Sequence, residues 1–165
     1  MKDLIEQIRV AVDSGLYYLA LFTCLTLPDI CGAMGSPDGE AVREKYIEWF
    51  DKYVAGKYHA MLSGDDCYRF RCSLLHQGSS QHPKSSYFRV LFVEPAATTN
   101  VFHCNVLNDA LNLDVRIFCR DILSGVEKWL QEYELTDTYK KNYDKFMKRH
   151  PGGLHPYIVG VPVIS

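Results

Sequence analysis

Leu111-Asn-Leu-Asp-Val-Arg-Ile-Phe-Cys-Arg-Asp-Ile-Leu-Ser-Gly-Val-Glu-Lys-Trp-Leu-Gln-Glu-Tyr133 carries the strongest periodic signal in the chain. Leu111, Val115, Phe118, Ile122, Val126, Trp129 and Tyr133 recur at three- and four-residue steps, which stacks them on one helical face. The spacing predicts a helix over 109–133, about 35 Å long. Asp114, Arg116, Arg120, Asp121, Glu127, Lys128 and Glu132 are left for its wet side. A helix with one such apolar face needs other helices to cover it, so the fold is read as mainly α.

The remaining elements are arranged around that helix. Ile5, Ile8, Val12, Leu16 and Leu19 predict a first helix continuing to Phe22, with Pro28 as its stop and a Gly/Pro-rich loop to Gly39. A second helix is expected from about Glu40 to Tyr53. A third runs from a cap at Asp65 or Asp66 to Gln77, with Gly78 ending it. Tyr87–Val93 and Val101–Val106 are rich in β-branched and aromatic residues, which predicts a β-hairpin inserted around 86–106, with Glu94–Asn100 as its loop. Asp137–Lys148 reads as a short helix with Tyr139, Tyr143 and Phe146 inside. The tail 150–165 holds too many Pro and Gly for a helix and is expected to lie as an apolar extended arm on its own core or on a partner. The expectation is a single helical-bundle domain over 1–165 with one hairpin insert.

Composition narrows the class. With 165 residues, 47% hydrophobic and 23% charged, the chain suits one globule and excludes a fibrous or largely disordered protein. A net charge of −2 excludes a polycationic nucleic-acid coat. Acids at Asp3, Glu6 and Asp13 do not suit a secretory signal, and Leu16–Phe22 is too short for a bilayer span. The six cysteines are therefore expected as reduced thiols in a cytoplasmic protein without a membrane partner.

Familiar cofactor and hydrolase signatures are missing: no G-x-G-x-x-G, phosphate loop, H-E-x-x-H or G-x-S-x-G occurs. Cys67-x4-Cys72 just fits the spacing of a zinc knuckle, but a helix sets the two about 140° apart and a strand points His103 and Cys104 to opposite faces, so no metal or cofactor is implied. Cys72 and His76 could pair as nucleophile and base, but no third orienting group is evident.

The stretch with chemical content is Tyr68-Arg-Phe-Arg-Cys-Ser-Leu-Leu-His-Gln-Gly78. An imidazole can move a proton to or from a ribose 2′-hydroxyl or its leaving oxygen, and a guanidinium can stabilise the phosphate without a metal. On a straight helix Arg69 lies about 20° from His76 and Arg71 about 140° away, so Arg71 reaches His76 only where the helix bends or ends. Residues 67–93 hold Arg69, Arg71, Lys84 and Arg89 and no acid, whereas residues 1–66 hold 6 basic and 11 acidic side chains. Such a local excess suits a short phosphate-contacting groove, with Tyr68, Tyr87 and Phe88 available for base stacking.

This segment resembles the signature of the HEPN superfamily, small all-α domains marked by Arg, a polar residue and then His four to six positions beyond the Arg. The pattern falls on Arg71 and His76, with Cys72 where Asn, Asp or His is commoner. The resemblance implies a metal-independent endoribonuclease of the kind found in bacterial toxin–antitoxin and phage-defence systems. It also implies a homodimer whose two motifs share a cleft, with an antitoxin or regulatory protein as partner. In that reading His76 is the acid/base, Arg71 the phosphate clamp and Arg69 its helper. Tyr68, Ser73, Gln77, Lys84 and Arg89 would contact the RNA. Other HEPN domains bind nucleic acid or protein without cleaving, and this is the alternative.

Overall fold

The computed structural model describes residues 1–95 and 100–165. Helices hold 53% of the described residues, so the chain is mainly α. They are α1 (Lys2–Asp13), α2 (Tyr17–Met34), α3 (Arg43–Tyr53), α4 (Gly64–Gln77), α5 (Val115–Tyr133) and α6 (Asp137–Tyr143), with a 3-10 turn at Ala55–Tyr58. One buried cluster runs through them, from Ile5 in α1 to Tyr139 in α6.

α2 departs most from expectation. The first helix ends at Asp13 because Gly15 takes a left-handed φ of +73°, and Leu16 and Leu19 then lie exposed. A new helix starts at Tyr17 and continues through Pro28 to Met34. Proline in a helix interior costs a hydrogen bond and crowds the preceding turn. Burial offsets that cost, since Ala20, Leu21, Cys24, Leu25, Leu27, Cys31 and Met34 are all covered and α2 packs on α1, α3, α4, α5 and α6. By length and composition α2 could also cross a bilayer, alone among the described helices. Its last carbonyls are closed from far along the chain. The Asn142 side-chain amide donates to Ala33 O at 3.2 Å, Met34 O at 3.1 Å and Ser36 O at 2.8 Å.

The hairpin predicted over 86–106 does not form. β1 (Arg89–Val93) pairs in parallel with β3 (Ala110–Asp114), and β2 (Asn105–Leu107) pairs antiparallel with β3, giving the order β1-β3-β2. The tight turn is Asn108-Asp109, both at positive φ (49° and 60°), which suits a two-residue hairpin loop. Residues 96–99, within the predicted loop, lie outside the described residues. β3 is buried along its whole length and feeds straight into α5, which therefore starts at Val115 rather than 109. Asp114 is not on the wet side: it is buried and caps α5, accepting from Arg116 N at 2.9 Å and Ile117 N at 3.1 Å. The apolar face of α5 is otherwise as read from sequence, with Phe118, Ile122, Val126 and Trp129 buried.

α6 is shorter than expected and stops at Tyr143, although Tyr139, Tyr143 and Phe146 do stack in sequence. The tail is not a straight arm. β4 (Arg149–His150) pairs with β7 (Val163–Ile164) and β5 (Gly153–Leu154) with β6 (Ile158–Val159). A Cβ at Gly153 would collide with the Ile158 carbonyl, and its φ of +90° also requires glycine. Tyr157, Val159 and Ile164 remain in solvent.

Candidate functional site

α4 carries the motif, and its placement begins at its first turn. Ser63 caps the helix, accepting from Asp66 N at 3.1 Å and donating to Asp66 Oδ2 at 2.7 Å, so the cap lies just before the Asp pair expected to supply it. Gly64 lies against the α3 backbone at Ile47, and its N–H donates to Asp51 Oδ1 at 2.7 Å. Further along, the buried Cys67 Sγ sits 3.3 Å from the Tyr46 hydroxyl of α3. Gly78 ends the helix at φ +64°, its N–H on Leu74 O, with Ser79 N on Ser73 O.

Arg71 and His76 meet at that end. Arg71 Nη1 is 3.3 Å from His76 Nε2, and His76 is exposed in the last turn before Gly78. The long Arg side chain runs along the helix and closes the 140° that separates the two Cα directions. Arg71 is also held from α2, where Asp29 Oδ2 lies 2.6 Å from Nη2, the two side chains only 19% and 12% exposed. Burial pushes the Asp29 carboxyl above its ordinary value, opposed by the Arg71 guanidinium and by His76. The guanidinium itself stays cationic. Its carbon also lies 5.9 Å from the Tyr68 ring centroid, as does that of Arg43 on the same ring.

The other expected site residues are distributed differently. Arg69 pairs with Asp65 at 2.7 Å, and Asp65 also takes Arg43, so Arg69 belongs to a separate ion-pair group rather than to His76. Tyr68 is half-buried, edge-on to Tyr46 and beside two guanidiniums. Ser73 is 1% exposed and faces inward, so it lines no groove. Gln77 is exposed beside His76. Lys84 is exposed in the loop after α4, but Ser86 N bonds Asp66 Oδ1 at 3.2 Å and draws that loop toward the N-terminal end of α4. Arg89 opens β1 with its guanidinium 5.4 Å from the exposed Phe88 ring. Tyr87 is occupied, its hydroxyl donating to Met61 O at 2.6 Å. Of the four basic residues of 67–93, only Arg71 touches His76; Arg69 is paired with Asp65, Lys84 lies in the loop after α4 and Arg89 opens β1.

Two features escaped the motif. Asp29 fell in what reads as a loop after Pro28, yet it is the sole charge in the 18 residues of α2, and that isolation was visible in the sequence. Beside the C-terminal end of α4 a cleft of about 320 Å³ opens between Tyr17, Tyr18, Leu74, Phe92 and Glu94. Among the described residues no group of three or more His, Cys, Asp or Glu side chains is gathered for a metal ion, and all six cysteines are free. No protein-family model, curated protein or solved structure matches the chain.

Proposed function

We infer that the protein is a metal-independent endoribonuclease of HEPN type, acting in the cytoplasm as a homodimer in a toxin or phage-defence setting, with RNA as substrate and an antitoxin or regulatory protein as partner. One observation carries the reading: the 3.3 Å approach of Arg71 Nη1 to His76 Nε2 at an exposed helix end. An exposed imidazole beside a fixed guanidinium can exchange a proton with a ribose hydroxyl while positive charge faces the phosphate. The aromatic cleft at the same end of α4 offers an unpaired base a surface on which to stack.

The test is cleavage of a mixed RNA pool with chelator present, scored for cyclic phosphate ends. His76→Ala should lower the rate by about 10²- to 10⁴-fold while keeping the circular dichroism of the parent. A folded His76→Ala protein that cuts as fast as the parent rejects the assignment. The alternative, a catalytically silent nucleic-acid-binding or protein-interaction module, draws on Asp29, which already neutralises Arg71. RNA retention without cleavage would select it.

A further inference from the structure

The carboxylate on Arg71 comes from a segment with no other charge. Across Tyr17–Met34 every residue but Asp29 is uncharged, and the helix is buried against five others. A lone ionised group in such a helix is costly unless a partner is fixed beside it. That partner is Arg71, in an ion pair at 2.6 Å that is off hydrogen-bond alignment and leaves Arg71 Nε without a partner. Arg71 reaches His76 with its other terminal nitrogen. Arg69, two residues earlier, is held by Asp65 of its own helix, so the acid from α2 serves only the arginine that touches the histidine.

The contact dictates a proton position. A guanidinium nitrogen only donates, so His76 Nε2 must accept and the proton of the neutral ring must sit on Nδ1. A protonated ring would bring donor against donor and break the contact. The charged and titratable groups around Asp29 are Arg71 and His76 of α4, with Cys67 and Tyr68 on the same helix and Tyr46 from α3.

We propose that Asp29 is a positioning residue for His76: it fixes Arg71, and Arg71 fixes the tautomer and orientation of the imidazole. The carboxylate–guanidinium–imidazole order resembles the support given to other functional histidines by an acid behind the ring, with a guanidinium interposed. In its catalytic consequence the proposal rests on the ribonuclease reading; in its structural consequence it does not.

The experiment uses the full chain, its Asp29→Asn and Arg71→Ala variants, and nitrogen NMR of the His76 ring. The parent should carry the neutral-ring proton on Nδ1, and both variants should move it to Nε2. A parent already protonated on Nε2, or an Asp29→Asn protein that keeps the Nδ1 proton while Arg71→Ala loses it, overturns the proposal. The parent measurement needs no variant, so an Asp29→Asn protein that fails to fold still leaves the contact open to refutation. On RNA, Asp29→Asn should cut about 10- to 100-fold more slowly with an altered pH profile, and cutting at the parent rate and profile counts against Asp29. If the parent itself does not cut, the ribonuclease reading falls and the tautomer measurement alone decides Asp29.

Discussion

Replacing Gly64 with alanine tests how α4 is seated. The added Cβ would stand 2.6 Å from Ile47 O, 2.9 Å from Ile47 Cα and 3.0 Å from Asp51 Oδ1. Two of these are backbone atoms of α3, which cannot rotate away, so α4 must shift outward. Overpacking of this kind costs about 1–3 kcal/mol. The shift also loosens the Gly64 N–H bond to the Asp51 carboxylate, a charge-assisted contact at 2.7 Å of the class worth about 1.5–3 kcal/mol when intact. Alanine's better helix propensity returns at most about 1 kcal/mol. The net expectation is a loss of about 2 kcal/mol, or about 4–8 °C in Tm for a chain of this size. Gly56→Ala is the control: no atom lies within 4 Å of its Cβ position, and the change should be neutral or mildly stabilising. The assay is thermal and urea unfolding followed by circular dichroism. A Gly64→Ala protein with the same Tm as Gly56→Ala would refute the claim that α4 is docked by backbone contact with α3.

Two further outcomes follow from the same packing. Burial pushes the Asp66 carboxyl up, but hydrogen bonds from Ser63 and Ser86 outweigh it and hold the group below its usual value. The unfolded chain then takes up the proton first as pH falls, so the stability Asp66 supplies at neutral pH is lost as pH drops below about 4 and through the lower folded value. Asp66→Asn should be less stable than the parent at pH 7, with the gap narrowing as pH falls below about 4; urea midpoints showing an unchanged gap contradict this. Iodoacetamide with mass spectrometry should label the half-buried Cys72 and Cys104 in the folded protein, and Cys24, Cys31, Cys67 and Cys119 only in urea. Burial pushes the Cys67 thiol up to about 12, so labelling of Cys67 as fast as Cys72 would show that the α3–α4 interface opens.

What could be read in advance was what lies within one turn of a helix. The apolar face of α5 and the Gly78 stop of α4 are local patterns, and both stand in the structure. Pro28 misled because propensity is a local cost, whereas α2 is stabilised by burial against five helices that no window of sequence contains. The sheet was misread for a related reason. The segments at 87–93 and 101–106 resemble a hairpin, but the decisive feature is Asn108-Asp109, two residues that tolerate left-handed φ and so fold β2 onto β3. At the site, Cα directions alone separate Arg71 from His76 by about 140°. The reach of an arginine side chain at a helix end brings them together, and Asp29, from a helix whose course was itself misread, holds the guanidinium in place.

The amide of Asn142 has a consequence for the order in which the chain becomes ordered. It satisfies Ala33, Met34 and Ser36 across sequence separations of 106 to 109 residues. Ala33 O and Ser36 O also accept from Ser36 and Gly39 close by, but during synthesis α2 leaves the ribosome long before α6, so Met34 O must be solvated by water until Asn142 arrives. The end of α2 is therefore the part of the central helix that matures last. In hydrogen exchange its amides should open together with α6, as one late cooperative unit, while the middle of α2 exchanges only on global unfolding.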